Sequence, residues 1–168
     1  MKKPHLVLGL SGGVDSAVSA LLLRESYQVY CLWLDIGLGG GEDAAAMADW
    51  LGLPFEKKDI RRELEHFVCQ PFVEDYLAGR TPLPCARCNP LVKFPPLLQK
   101  AEELGGGYVA TGHYARVTQG PEGRILLRKG QPANDQSYML GRLTQSILRR
   151  TVFPLGGYEK VQVRALAA

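Results

Sequence analysis

The sequence predicts an α/β fold, an open, mostly parallel sheet with helices on both faces, and three observations predict it. Short apolar runs alternate with stretches of helical spacing, the pattern of strands buried between covering helices. The first run ends directly in a Ser-Gly-Gly turn, where a βα unit reverses direction. No apolar run approaches the length a membrane-spanning helix needs.

Residues 5–10 (His-Leu-Val-Leu-Gly-Leu) read as a buried strand. Ala17, Val18, Leu21 and Leu22 set the apolar face of the next helix, and residues 27–34 form a second strand that completes a βαβ unit. Residues 37–41 are a glycine-rich loop, 44–51 a helix and 55–58 a short strand. Helical spacing runs from Arg61 to about Ala78, with Pro71 expected to kink or break it. Residues 79–90 hold three prolines, two cysteines and no periodicity, so an ordered loop is expected there. Pro95 or Pro96 starts the next helix, which runs to Leu104 and is ended by Gly105-Gly106-Gly107. Residues 108–111 read as a strand, 115–118 and 124–128 as a hairpin, and 135–148 as a helix. A further helix opens at residues 159–168.

With 168 residues and 46% hydrophobic content, the chain fills one core, and residues 1–168 are expected to be a single domain. The net charge of +3 permits nucleic-acid contact without demonstrating it. Met1-Lys2-Lys3 before an apolar run imitates a leader, but the run stops at Leu10 and Asp15 puts a charge soon after it, so a cytoplasmic protein with no membrane partner is expected. Of four cysteines only Cys85 and Cys88 are closely spaced, which in a cytosolic chain points to metal or redox chemistry.

Ligands of open parallel sheets bind at the carboxyl ends of the strands. There lies Ser11-Gly12-Gly13-Val14-Asp15-Ser16. Two glycines let backbone N–H groups approach a ligand, two serine hydroxyls add donors, and the next helix presents its positive end, so phosphate or pyrophosphate is the natural guest. The loop has no lysine and is not a Walker A motif. An aspartate suits such a site if Mg2+ bridges Asp15 to phosphate oxygens; as a plain helix cap it would be structural. Gly37 to Gly41 are no dinucleotide fingerprint, because Glu42 stands where the third glycine belongs, and they read as a flexible loop near the nucleotide.

Cys85-Ala86-Arg87-Cys88 is flanked by prolines that limit where the sulfurs point. A structural zinc site would need two more ligands, and no second pair supplies them. A redox dithiol and an iron–sulfur cluster completed by a third ligand or an open iron both remain. Arg87 could favour a thiolate, although a solvated surface role is as natural for it.

The loop from Ser11 to Ser16 resembles the PP-loop of the ATP-pyrophosphatase (adenine nucleotide alpha hydrolase-like) superfamily, whose members cleave ATP between the α and β phosphates. Further segments resemble one family within it, the MnmA/TRMU-type tRNA-specific 2-thiouridylases. They are Ala78-Gly79-Arg80-Thr81-Pro82, the Cys85/Cys88 pair with Asn89 and Lys93-Phe94, residues 110–116, residues 135–140, and Phe153-Pro154-Leu155-Gly156 with Lys160 and Val163-Arg164. The resemblance implies that Gly9, Leu10, Ser11, Gly12, Gly13, Val14, Asp15 and Ser16 bind ATP with Mg2+, and that Leu34 and Gly112 flank the adenosine. It implies that Cys88 is the catalytic thiol and that Cys85 resembles members suspected of holding a [4Fe–4S] cluster. It places His113, Asp135 and Gln136 near tRNA or the target base. The implied reaction adenylates a uracil carbonyl of tRNA, or a related small acceptor, and replaces its oxygen by sulfur from a persulfide carrier or sulfide.

The match has departures. The family's second cysteine, beyond the segment matching Val163-Arg164, has no counterpart, and its β-rich tRNA-gripping domains are absent from these residues. Leu83 replaces the usual asparagine, and Asn134 stands where a basic residue is common. A fragment or a stand-alone relative would look like this. Two other readings compete with sulfur transfer: a PP-loop amide-forming ligase, against which the cysteine pair argues, and a non-catalytic module that binds ATP or an iron–sulfur cluster.

Overall fold

The computed structural model describes residues 3–167; Met1, Lys2 and Ala168, at the ends of the leader-like start and of the last expected helix, lie outside the described residues. Five strands form one parallel sheet: β1 (His5–Gly9), β2 (Gln28–Asp35), β3 (Phe55–Asp59), β4 (Tyr108–Ala110) and β7 (Thr151–Val152). Their spatial order is β3-β2-β1-β4-β7, with β1 central. Leu6 is in register with Val29 and Tyr108, and Leu8 with Cys31 and Ala110. The remaining strands, β5 (Ala115–Gln119) and β6 (Ile125–Lys129), form the expected antiparallel hairpin as a separate sheet.

Alternation along β1 explains the layering. Leu6 and Leu8 face one way, towards Ala20 and Leu23 of α1 (Val14–Leu23) and Ala44 and Ala48 of α2 (Gly41–Trp50). Val7 faces the other way, towards Phe94, Leu97 and Ala101. Leu6, Val7 and Leu8 are fully buried, and burial of each such side chain stabilises the fold by about 1.5–3 kcal/mol. The expected helices on both faces are present. No helix of the described residues is long and apolar enough to cross a membrane.

Two long helices keep their prolines by loosening. Residues 61–77 form one helix, α3, without the expected break at Pro71. Instead Glu65–Cys69 is a π-helical turn, in which Gln70 N–H bonds to the Glu65 carbonyl five residues back. The wider turn absorbs a proline that has no N–H to give and would crowd the carbonyl four residues before it. The same device operates in α4, residues 84–103: Asn89–Lys93 is a π-helical turn, Phe94 N–H bonds to the Asn89 carbonyl, and Pro95 and Pro96 come next.

That helix corrects the expectation of an irregular loop over residues 79–90 and of a helix start at Pro95 or Pro96. Pro84 occupies the first helical turn, the place where a missing N–H costs nothing. Both cysteines therefore sit on a helix. Residues 135–148 are also corrected: they form a 3-10 turn at Ser137–Leu140 and one helical turn, α5 (Gln145–Leu148). The Asp135 carboxylate accepts from the backbone N–H groups of Gly130 (2.9 Å) and Ser137 (3.1 Å) and from the Ser137 hydroxyl (3.0 Å), which closes a turn in competition with helix. From α5, the Gln145 amide pairs with both backbone groups of Ile125 and ties the hairpin to the main body. Finally α6 (Lys160–Leu166) starts at a capping box of Glu159 and Gln162 and packs Val163 against Val18 and Tyr114.

Candidate active site

A cavity of about 470 Å3 opens at the carboxyl ends of β1, β2 and β4. One wall is the loop after β1, contributing Gly9, Leu10, Ser11, Asp15 and Ser16; a second is apolar, built from Leu32, Trp33, Leu34, Ile36, Ile60 and Leu64; a third holds Cys88, Lys93, Thr111, Gly112, His113 and Gln136. These residues come together at the carboxyl ends of β1 and β2, with the start of α1, the turn after β4 (Thr111 to His113), Ile60 just past β3, Leu64 of α3, Cys88 and Lys93 of α4, and Gln136 from the segment after β6.

The loop is held open towards a ligand. Gly12 has φ +82°, and a Cβ there would lie 3.0 Å from the Ala44 backbone nitrogen of α2. Only glycine reconciles that backbone with that approach. The Ser16 hydroxyl donates to the Gly13 carbonyl at 2.8 Å and receives the Ser11 N–H at 3.2 Å, which bridges the loop across its mouth. No side chain caps the N-terminus of α1, so its first-turn N–H groups and positive dipole end are free for an anion. Gly112 closes against this turn: a Cβ on it would meet the Asp15 backbone carbon at 3.3 Å and the Ser16 nitrogen at 3.4 Å.

Asp15 does not present a free carboxylate. Lys160 at the start of α6 donates to both its oxygens at 2.5 Å, and the Tyr114 hydroxyl donates to Oδ1 at 2.8 Å. Its charge is thus already neutralised, and its role as placed is to lock the first turn of α1 to Tyr114 and α6. A magnesium ion held directly by Asp15 does not fit this arrangement while Lys160 is bound there.

Cys85 and Cys88 part company on α4. Cys85 is exposed and does not line the cavity, whereas Cys88, one turn later, does. The helix is pinned by Asn89, which is 2% exposed and whose amide donates to the Cys85 carbonyl (3.0 Å) and, across fifty residues, to the Met139 carbonyl (3.1 Å). Burial pushes the Cys88 thiol up from its ordinary value, the Lys93 ammonium opposes that rise, and Cys85 and Cys69 add to it. The cation acting on Cys88 is therefore Lys93 rather than Arg87. Cys31, inside β2, is pushed by burial up to about 12 and is an inert core residue. Among the described residues no group of three or more His, Cys, Asp or Glu side chains could hold a metal ion, so the donor set for a [4Fe–4S] cluster is one ligand short of three.

His113 lines the cavity and pairs through Nδ1 with the Thr111 hydroxyl at 2.7 Å. Burial first, and Lys93 second, push its pKa down to about 3, so it is neutral at working pH. An unfolded histidine titrates near 6.5. Between about 6.5 and 3 the unfolded chain therefore binds the extra proton, and stability falls as the solution is acidified through that window. With about 1.4 kcal/mol per unit, a few kcal/mol are lost by pH 4. Urea denaturation at pH 7, 5 and 4 should show this loss in the parent chain and a shallower one in His113→Gln.

Gln136 lines the cavity, and its Oε1 accepts the Tyr114 N–H at 3.1 Å. Asp135 does not line it, since its carboxylate is consumed by the turn described above. Gly12, Gly13 and Val14 complete the loop behind its lining residues. Sequence reasoning missed the apolar wall beyond Leu34, and Thr111 and Lys93 as cavity residues; the apolar positions Ile36 and Ile60, each just past a strand end, were the available signal.

The tRNA methyl transferase HUP domain family matches residues 38–168. The chain is 43% identical to a tRNA-specific 2-thiouridylase MnmA of Geotalea uraniireducens, over 99% of this chain and 50% of that protein. It is 46% identical to that of Heliobacterium modesticaldum, over 99% and 48%, and 43% identical to that of Thermus thermophilus, over 97% and 49%. It thus spans about half the length of the curated relatives it matches. Among solved structures, a predicted subunit of tRNA methyltransferase from Methanocaldococcus jannaschii superposes with a TM-score of 0.53 at 17% identity, covering 98% of this chain and 74% of that one. NAD+ synthetase from Burkholderia pseudomallei superposes with a TM-score of 0.51 at 16% identity, covering 98% and 65%. At those identities the likeness is one of fold.

Proposed function

Because this chain belongs to the tRNA methyl transferase HUP domain family, and its curated relatives are named tRNA-specific 2-thiouridylases, we propose that residues 1–168 form a PP-loop domain for ATP-dependent sulfur transfer to a tRNA uridine. The observation that carries this reading is that the loop after β1 and a thiol, Cys88, line the same cavity. Neither a pyrophosphate loop nor a thiol alone would single out this reaction.

ATP enters as its magnesium complex. The Ser11–Ser16 loop and the start of α1 hold the β and γ phosphates, and the apolar wall around Leu34 and Ile36, with Gly112 opposite, flanks the adenosine. The acceptor's carbonyl oxygen attacks the α-phosphorus, a P–O bond to pyrophosphate breaks, and the base oxygen becomes part of an AMP leaving group. Sulfur then attacks the same carbon, and AMP departs carrying the oxygen. If the sulfur arrives as a persulfide on Cys88, the product remains joined to Cys88 by an S–S bond. A second thiol, from Cys85 three residues earlier on the same helix or from an external donor, must cleave that bond; where Cys85 does so, an external thiol then reduces the resulting disulfide. A [4Fe–4S] cluster would supply hydrosulfide instead, but no group of three or more donors among the described residues is placed to hold one.

The base must leave its stack to reach the cavity, and His113 and Gln136, which line it, are its proposed contacts. Because His113 is neutral, it offers a hydrogen bond and no charge. The test is incubation with ATP, magnesium, sulfide or persulfide, and tRNA. Thiolated nucleoside and AMP should form together, whereas AMP formation with no sulfur incorporated would reject the reading.

A further inference from the structure

Lys93 has no assigned role, and its position gives it one. It is the only lysine or arginine lining the cavity, and no carboxylate lies within 4 Å of its ammonium among the described residues. The other ionisable groups on the walls do not answer it: Asp15 is paired with Lys160, His113 is neutral, and Cys88 is held towards its thiol form. A half-buried cation without a partner is unfavourable, so the cavity is short of one negative charge.

Its backbone explains why it points there. In an α-helix, five residues make about 1.4 turns, and Cys88 and Lys93 would face different sides. The π-helical turn at Asn89–Lys93 closes on the fifth residue instead, and both side chains reach the same cavity. The turn that accommodates Pro95 and Pro96 thus also sets a cation beside the thiol.

The chemistry proposed above, on which this inference rests, decides which phosphate Lys93 serves. Sulfur must attack a carbon separated from the α-phosphorus by a single oxygen, so the α-phosphate lies closer to Cys88 than the β and γ phosphates held by the loop. We propose that Lys93 binds the α-phosphate, neutralising the oxygens on the acceptor side of ATP and of the AMP that leaves.

Calorimetric titration of ATP, AMP, inorganic pyrophosphate and adenosine into the parent chain, Lys93→Met and Lys93→Arg tests this. In Lys93→Met the affinity for ATP and AMP should fall at least about tenfold, that for pyrophosphate and adenosine should be unchanged, and Lys93→Arg should retain most of the AMP affinity. Unchanged pyrophosphate binding also shows that the variant is folded. Equal binding of AMP by the parent chain and Lys93→Met would overturn the proposal. A loss for pyrophosphate as large as that for AMP would also overturn it, by placing Lys93 among the loop's phosphates. If the parent chain bound neither ATP nor pyrophosphate, the functional reading itself would fall and this inference with it, a result distinct from the other two.

Discussion

Cys88→Ser should lower thionucleoside formation by about a thousandfold or more while leaving ATP affinity unchanged. A serine hydroxyl is far too weak an acid to supply the required nucleophile and cannot carry a persulfide. The substitution is nearly isosteric, and the wall it sits on is fixed by the Asn89 anchor rather than by the thiol. Adenylation precedes sulfur attack in the proposed sequence, so the variant should still release pyrophosphate in the presence of tRNA. Quantifying pyrophosphate and thiolated nucleoside in the same reaction separates the two steps. Pyrophosphate release at the parent rate by a variant carrying both Cys85→Ser and Cys88→Ser, with no thionucleoside formed even by the parent chain, would instead favour an amide-forming ligase.

Gly12→Ala should cost ATP affinity at least about tenfold and lower Tm by roughly 2–8 °C, from about 1–2 kcal/mol of backbone strain. Two effects combine at this position. Alanine resists φ +82°, and its Cβ would press on the Ala44 nitrogen at 3.0 Å, so the loop must move away from α2. Gly39→Ala is the control: Gly39 has a similar φ of +76°, but a Cβ there meets nothing within 4 Å and it does not line the cavity. It should lose stability alone. Titration with ATP and a thermal scan of both variants distinguish loop geometry from general strain.

Much of the fold was legible because its signals are local. Leu6, Val7 and Leu8 form an uninterrupted apolar run because both faces of β1 are covered, and the loop at Ser11 to Ser16 succeeds it without a spacer. The illegible parts depend on distant partners. Strand β7 is two residues long, Thr151–Val152, and gains strand character only by pairing with β4. The helix at Pro84 was hidden by prolines at 90, 95 and 96 that ordinarily forbid one; a π-helical turn, which has no sequence signature in isolation, reconciles them.

The site divides the same way. Glycine, serine and cysteine identities announced the loop and the thiol, and Cys88, His113, Gln136 and Gly112 do meet in one cavity. Asp135 lies outside the cavity wall, and the backbone groups of Gly130 and Ser137 that its carboxylate accepts from are invisible in one dimension. The ion pair of Asp15 with Lys160 was equally hidden, because the two lie 145 residues apart. Lys93 was passed over for Arg87 because the π-helical turn at Asn89–Lys93, rather than adjacency in sequence, decides which cation reaches Cys88.

In the proposed reaction the acceptor's carbonyl oxygen becomes the bridge to AMP. Transfer of label from uridine carrying 18O at the reacting carbonyl of the tRNA tests it most directly, with mass spectrometry of the AMP formed during thiolation. One 18O atom per AMP, equal in amount to the thionucleoside produced, is the predicted result. Unlabelled AMP with thiolated product would show that ATP activates something other than the base, and would contradict the account.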